Sequence, residues 1–441
     1  MTEDTEDCGC REYRELSRRG FVTAAGLNVA ALALPQWLPQ VSYAASEDST
    51  RDVLVSVFMR GGADGLTLVA PFADPAYYSG RASIAVPRPD SSSPQRGTAL
   101  DNFFMLPPGM AALRPAYLAD QLCIVHATGQ KSTTSRSHFE AERYLEAGKP
   151  SDYSISTGWL ARHLMTSAPV NATAPLRGIS LGWGGTRLTL TGAPKTLPIP
   201  QPENYRHLAP DESVLQRMYS AGWAPVRDAG TDALRTVSLL RSIAFNSYRP
   251  ANGAQYPDTN FGRGLRSLAA IIKADAGVEA AHLDIGGWDT HANQGSTTGQ
   301  MHELMTDFAG TLGAFWADVM QGAGRHNVTV AVVSEFGRNA RENGSLGTDH
   351  GRASVAFFLG PGIAGGRVMA QWPGLSRDVL EDGQDLRVTI DHRDLLAEVV
   401  RRRLGNANIG AIFPGFVPVE RGITTTGALA IREAARRPVR R

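Results

Sequence analysis

Five short stretches of this 441-residue chain gather side chains that can do chemistry. They are Arg60-Gly61-Gly62-Ala63-Asp64-Gly65, the run Gln130 to His138 (QKSTTSRSH), Gly286-Gly287-Trp288-Asp289-Thr290-His291, Ser334-Glu335-Phe336-Gly337-Arg338, and Gly347-Thr348-Asp349-His350-Gly351-Arg352. Asp64, Asp289, His291, Glu335, Asp349 and His350 are hard oxygen and imidazole donors. Such donors hold one or two divalent ions of the Zn²⁺, Mn²⁺, Mg²⁺ or Ca²⁺ kind. Two ions about 4 Å apart clamp the attacking and leaving oxygens of a displacement. Each residue also has a plain structural reading. Asp64 is a turn aspartate in RGGADG, Asp289 and His291 can bond within their own loop, and Glu335 can pair with Arg338 or Arg341.

The segment Thr133-Thr134-Ser135-Arg136-Ser137-His138-Phe139-Glu140 opens a helical pattern. Ser137 with Glu140 three residues on is a capping box. A helix start also attracts anions through its free N–H groups. A hydroxyl there, from Thr134, Ser135 or Ser137, is a candidate nucleophile. Arg136 is a candidate bidentate anion clamp. His138 can ligate, donate a proton or pack. His126, at a strand end, reads as buried and satisfied. RGGADG lacks the lysine and following helix of a phosphate-binding loop, so it gives nucleotide binding little support.

The elements that must position these residues alternate. Strands are expected at Val53–Phe58, Leu122–His126, Gly178–Leu181, Ala281–Ile285, Val328–Val333 and Val355–Leu359. Several are unbroken apolar runs, as in a parallel sheet buried on both faces. Helices are expected near Met110–Ala119, Ser137–Ala147, Trp159–Met165, Ser213–Ala221, Asp228–Phe245, Phe261–Ala274, His302–Gly322 and Arg393–Leu404. The alternation argues an α/β fold with helices on both faces. In such sheets ligands bind beyond the strand ends, which is where the polar stretches fall. The stretches 84–109 and 184–212 read as long loops over this core.

The first 45 residues depart from the rest. Ser17-Arg18-Arg19-Gly20-Phe21-Val22 precedes a small-residue apolar run to Leu34, and Ser42, Ala44 and Ala45 follow. This is the plan of a twin-arginine signal peptide, implying periplasmic or secreted delivery. The apolar run is shorter than the roughly 20 residues needed to span a bilayer, so no stable membrane insertion is expected. Residues 46–420 read as one α/β domain and 421–441 as an Arg-rich tail. The net charge of +1 gives no cause to expect nucleic-acid binding. Cys8 and Cys10 lie in the signal, leaving Cys123 as a buried apolar residue.

The ordered motifs RGGADGL, TTSRSHFEAERYLEAG, HLDIGGWDTHANQG, VVSEFGRNARENGSLGTDHGR and a late GGRV–WPGL segment resemble the bacterial domain of unknown function 1501 family. The resemblance runs from the signal to about residue 415. That family is placed with the alkaline phosphatase and sulfatase superfamily. The resemblance implies a three-layer α/β/α sandwich with a mainly parallel sheet. It also implies an early metal aspartate at Asp64, a hydroxyl nucleophile within Thr134–Ser137, ligands at Asp289 and His291, a strand-end carboxylate at Glu335 and a final histidine at His350. Three features depart from the superfamily pattern. Glu335-Phe336 stands where Asp-His is usual, Asp289 and His291 are more tightly spaced, and the proline of the sulfatase nucleophile signature is missing.

The expectation is an exported metal-dependent hydrolase of phosphate or sulfate esters. Its partners would be a small anionic ester and the twin-arginine export machinery. The rivals are a non-catalytic exported binding or assembly protein on the same fold, favoured by Glu335-Phe336, and a metal-dependent mutase.

Overall fold

The structure is a computed structural model that describes residues 52–182, 187–205, 211–322 and 326–425. The twin-arginine segment and residues 426–441 lie outside the described residues. All six expected strands form: β1 (Val53–Met59), β2 (Leu122–Gly129), β3 (Gly178–Ser180), then, after the short β4 (Thr196–Pro198), β5 (Ala280–Ile285), β6 (Val328–Ser334) and β7 (Ser354–Leu359). Two further short strands, β8 (Arg367–Met369) and β9 (Ile390–Asp391), are too brief to read from periodicity. The nine strands make one sheet in the order β8-β2-β7-β6-β1-β5-β3-β4, with β9 also beside β2.

Neighbours pair in parallel except at β7, which is antiparallel to both β2 and β6. The apolar run Val355–Leu359 could not show this, because strand direction leaves no mark on composition. The reversal has a consequence for the site. It puts the residues before β7, including His350, at the same sheet edge as the residues that follow β1, β2, β5 and β6.

Strand side chains alternate between two apolar layers. Val55, Val57 and Met59 of β1 join one core with Leu265 and Leu268 from helix Asn260–Lys273 and Phe308 and Leu312 from helix Gln300–Val319. Leu54 and Phe58 join another with Leu160 and Leu164 from helix Trp159–Thr166 and Leu395 and Val399 from helix His392–Arg402. Helices therefore cover both faces.

Cys123 lies in the second core, where burial pushes its thiol up to about 11. Residues Arg421–Thr425, expected to begin the tail, pack onto the domain. Buried Glu398 accepts from the backbone N–H groups of Arg421, Gly422 and Thr424. Among the described residues, no helix is long and apolar enough to cross a membrane.

Candidate metal centre

Three imidazoles from distant parts of the chain meet at the sheet edge. His138 is the first residue of helix α1 (His138–Ala147), His291 sits in the loop after β5, and His350 precedes β7. The Nε2 atom of His350 lies 3.1 Å from Nε2 of His138 and 3.0 Å from Nε2 of His291. Asp289 completes the group. Its Oδ1 is 2.9 Å from His291 Nε2, 3.1 Å from His350 Nε2 and 3.5 Å from His138 Nε2.

The other ring nitrogens explain why these face inward. His138 Nδ1 donates to Glu335 Oε1 at 2.8 Å, His291 Nδ1 to Asp349 Oδ1 at 2.9 Å, and His350 Nδ1 to the Arg136 carbonyl at 2.9 Å. A neutral imidazole that donates from Nδ1 carries its lone pair on Nε2. The ligand atoms of His138, His350 and Asp289 lie within 4.8 Å of one another, with His291 Nε2 beside the latter two, and lone pairs cannot bond one another. At His291, Arg338 Nη1 lies 3.5 Å from Nε2; between His138 and His350 a cation or an added proton is needed.

Without a cation, the electrostatics favour the added protons. Burial would lower the His138 pKa, but hydrogen bonds to Asp289 and Glu335 outweigh it and raise it to about 9. His291 is raised as well, chiefly by its bond to Asp289. Burial disfavours the charged form of Asp289, yet the three histidines and Arg338 hold its carboxyl far below the usual range. Asp289 Oδ2 is buried and has no hydrogen-bond partner. A buried carboxylate oxygen without a partner, beside imidazole nitrogens, is a group that a cation can satisfy. The donors present therefore fit a divalent ion.

The support beneath the cluster comes from the glycine turn after β1. Glu335 Oε1 accepts from the backbone N–H groups of Gly61 and Gly62, each at 2.8 Å. That turn needs glycine: φ is +114° at Gly61 and +66° at Gly62. A Cβ at Gly61 would lie 2.7 Å from the Asp289 amide nitrogen, and one at Gly62 would lie 2.4 Å from the Phe336 ring. The same turn's carbonyls accept from Arg338, which is 1% exposed. Arg338 also donates to the Trp288 and Thr348 carbonyls and, at 2.5 Å, to Asp289 Oδ1. One guanidinium thus ties together the three segments that carry Asp289, Asp349 and the glycine turn.

The structure sorts the predicted residues into roles. Asp289, His291 and His350 converge, and His138 joins them as a donor. Glu335 and Asp349 stand behind the imidazoles that they orient rather than facing the cluster. Asp64 is engaged elsewhere. Its buried carboxylate takes Arg81 at 2.5 Å, with Thr67 and Gln294 at 2.7 Å each. Gln294 in turn accepts from Thr290 and Thr348, so Asp64 braces the loops that carry His291 and Asp349.

The hydroxyls do not reach the cluster in any contact. Ser137 is the N-cap residue, but its side chain makes no capping bond. Glu140 instead accepts from the Ser135 hydroxyl, 2.8 Å away, so the expected capping box is not made. Thr134 is exposed. Arg136 pairs with Asp385 and Asp382. His126 is buried as expected, its Nε2 set between the carbonyls of Gly65 and Val69.

Sequence reasoning weighed Arg338 only as a salt-bridge partner for Glu335. The motif SEFGR contains it, but nothing in the spacing shows it turning back under β1. A second grouping places ligand-type atoms of His138, Glu142 and Glu335 within 4.8 Å of one another. Glu142, pushed up to about 7 by burial against the opposing charge of Arg60, is bound to that arginine at 2.7 Å. It backs the first cluster rather than forming a centre of its own.

Fold and cluster together define an α/β protein with a histidine-rich centre at the edge of a mixed, mostly parallel sheet. Residues 238–408 match the family described as "Protein of unknown function (DUF1501)", which supports the resemblance read from the motifs. That segment carries Asp289, His291, Glu335, Arg338, Asp349 and His350; His138 and the glycine turn precede it. Comparison with curated proteins and with solved structures gives no match.

Proposed function

We propose that this chain is an exported metal-dependent hydrolase of phosphate or sulfate esters, built around a single divalent ion held by His138, His350 and Asp289, with His291 beside them. The observation that carries the reading is the convergence of three Nε2 atoms on Asp289, whose second oxygen is orphaned. A nine-stranded sheet covered on both faces supports the three-layer, alkaline phosphatase-like arrangement. Twin-arginine export rests on the Arg18-Arg19 segment.

A set of two imidazoles and one carboxylate suits zinc or a neighbouring transition ion better than calcium or magnesium, which favour all-oxygen shells. One ion fits better than two. Phe336 occupies the flank where a second imidazole would be needed, its ring centroid 4.8 Å from that of His138 and 5.1 Å from that of His350. A bound ion there would supply Lewis-acid chemistry, activating water near neutral pH and stabilising charge on an ester oxygen.

The chain's own residues do the rest. Glu335, Asp349 and the Arg136 carbonyl fix the imidazole tautomers, and Arg338 fixes Asp289. Since the Ser135 hydroxyl is committed to Glu140, we assign the nucleophile to water rather than to Ser135, Ser137 or Thr134. The site opens on the side of His291 and Asp349, whose side chains are 37% and 55% exposed.

A second reading, a non-catalytic exported binding or assembly protein, has one observation in its favour. His291 stands next to the three candidate ligands, and a fourth protein donor would close the site as in structural centres. The test is to purify the exported protein without chelator, measure its metals by mass spectrometry and assay aryl phosphate, phosphodiester and sulfate esters. One ion per chain, lost in His350→Ala and Asp289→Ala, with turnover, supports the hydrolase. One ion without turnover supports the second reading, and no stoichiometric metal defeats both.

A further inference from the structure

We infer that the centre takes a singly charged tetrahedral oxyester, a phosphodiester or a sulfate monoester, in preference to a doubly charged phosphate monoester. This rests on the hydrolase reading above and sharpens its substrate class. The observation is that each arginine contacting the site is already neutralised by a carboxylate. Arg338 is bound to Asp289 at 2.5 Å. Arg136, the one guanidinium placed by sequence to clamp an anion, is bound to Asp385 and, at 3.3 Å, to Asp382. Arg352 lies 3.6 Å from Glu381 and donates to the Thr133 carbonyl. Arg60, below, is enclosed by Glu142, Glu146 and Asp284.

The charge of the centre follows. Arg338 and Asp289 cancel. Glu335 and Asp349, directly behind two of the imidazoles, cancel the two charges of a divalent ion. These groups sum to about zero with the ion in place, the carboxylates around Arg60 and Arg136 outnumber their arginines, and Asp349 stands at the exposed side. A dianion gains little on entering and meets Asp349 on the way. A monoanion meets half of that repulsion. In the reaction, the oxygen of water bonds to phosphorus or sulfur, the ester bond to the leaving oxygen breaks, and the proton given up by water ends on the leaving alcohol. No other co-reactant is required.

The test uses the full metal-loaded protein and has two parts. The first is binding by calorimetry at pH 8, with inorganic phosphate as the dianion and dimethyl phosphate and methyl sulfate as monoanions. The second is turnover of matched aryl phosphomonoester, phosphodiester and sulfate esters. We expect the monoanions to bind about tenfold or more tightly than phosphate, and the diester or sulfate arm, whichever is the true source, to lead in kcat/KM. In Asp385→Asn with Asp382→Asn, which removes both carboxylates from Arg136, phosphate affinity should rise several-fold while metal content stays at one ion. Tighter binding of phosphate than of either monoanion in the wild type, or a lead for the monoester, overturns the charge assignment while leaving the hydrolase reading intact. Monoanion binding with no turnover in any arm defeats the hydrolase reading instead.

Discussion

Glu335 holds His138 in one tautomer. The carboxylate, anchored by two glycine amides, accepts the Nδ1 proton at 2.8 Å and turns Nε2 toward Asp289 and His350. A residue that by type belongs among the candidate ligands instead orients one of them. It does so because a carboxylate oxygen filled by three hydrogen bonds has no direction left for an ion.

Replacing Glu335 by Gln should therefore weaken the centre without emptying the protein of structure. The amide keeps one acceptor oxygen for the glycine turn but loses the charge that makes His138 a strong donor. Loss of such a partner lowers metal affinity about 10- to 100-fold. Competition with a chromogenic chelator measures it. Unchanged affinity would place Glu335 outside the centre's support.

Metal should stabilise the fold. A ligand that binds only the folded chain adds about 2.7 kcal/mol at a concentration one hundred times its Kd. Protein stripped with a chelator should melt several degrees lower and recover with one equivalent of zinc. His350→Ala should show neither the loss nor the recovery.

The glycine turn should not tolerate a side chain. At Gly62, φ is +66° and a Cβ would lie 2.4 Å from Phe336 Cε2. Gly62→Ala should cost about 1–3 kcal/mol in urea unfolding. Adding Phe336→Ala should return part of that loss, the mark of coupled neighbours. Simple additivity of the two changes would show that the ring is not the obstacle.

Arg338→Met should be among the most damaging substitutions. It removes the guanidinium from the buried Asp289 charge and from the carbonyls of Gly61, Gly62, Trp288 and Thr348. Breaking a buried pair this way costs about 3–5 kcal/mol. The urea midpoint reads it, and a change under 1 kcal/mol would contradict the ties described.

Acid should unfold the protein partly through two buried histidines. Burial lowers His126 and His392 from 6.5 to about 4 each. Their folded pKa values lie below the unfolded ones. Each therefore contributes stability that is present above pH 6.5 and is lost as pH falls through about 4. The ceiling is about 3 kcal/mol per group. At His126, Nδ1 accepts the Ala127 amide at 2.8 Å, so a second ring proton has no acceptor there. His126→Asn should flatten the fall in melting temperature between pH 6.5 and pH 4.

The sequence by itself determined the frame. Apolar β-branched runs named all six main strands, and the long helices fell within a few residues of their expected ends, because burial on both faces of a sheet dictates composition locally. It also determined that the polar stretches share one edge, since chain turns leave a sheet only at its ends. Only the tertiary structure decided what each polar residue does there. Glu335 and Asp349 became supports, His138 a donor, Asp64 a brace held by Arg81, and Arg136 a partner of Asp385. The reversal of β7 brought His350 to that edge, and Arg338 turned back to join three segments. Residue type fixes which atoms can bind an ion. Whether they do is decided over about 3 Å, by which oxygen or nitrogen of segments far apart in sequence faces inward, and that is set only when the whole sheet has closed around them.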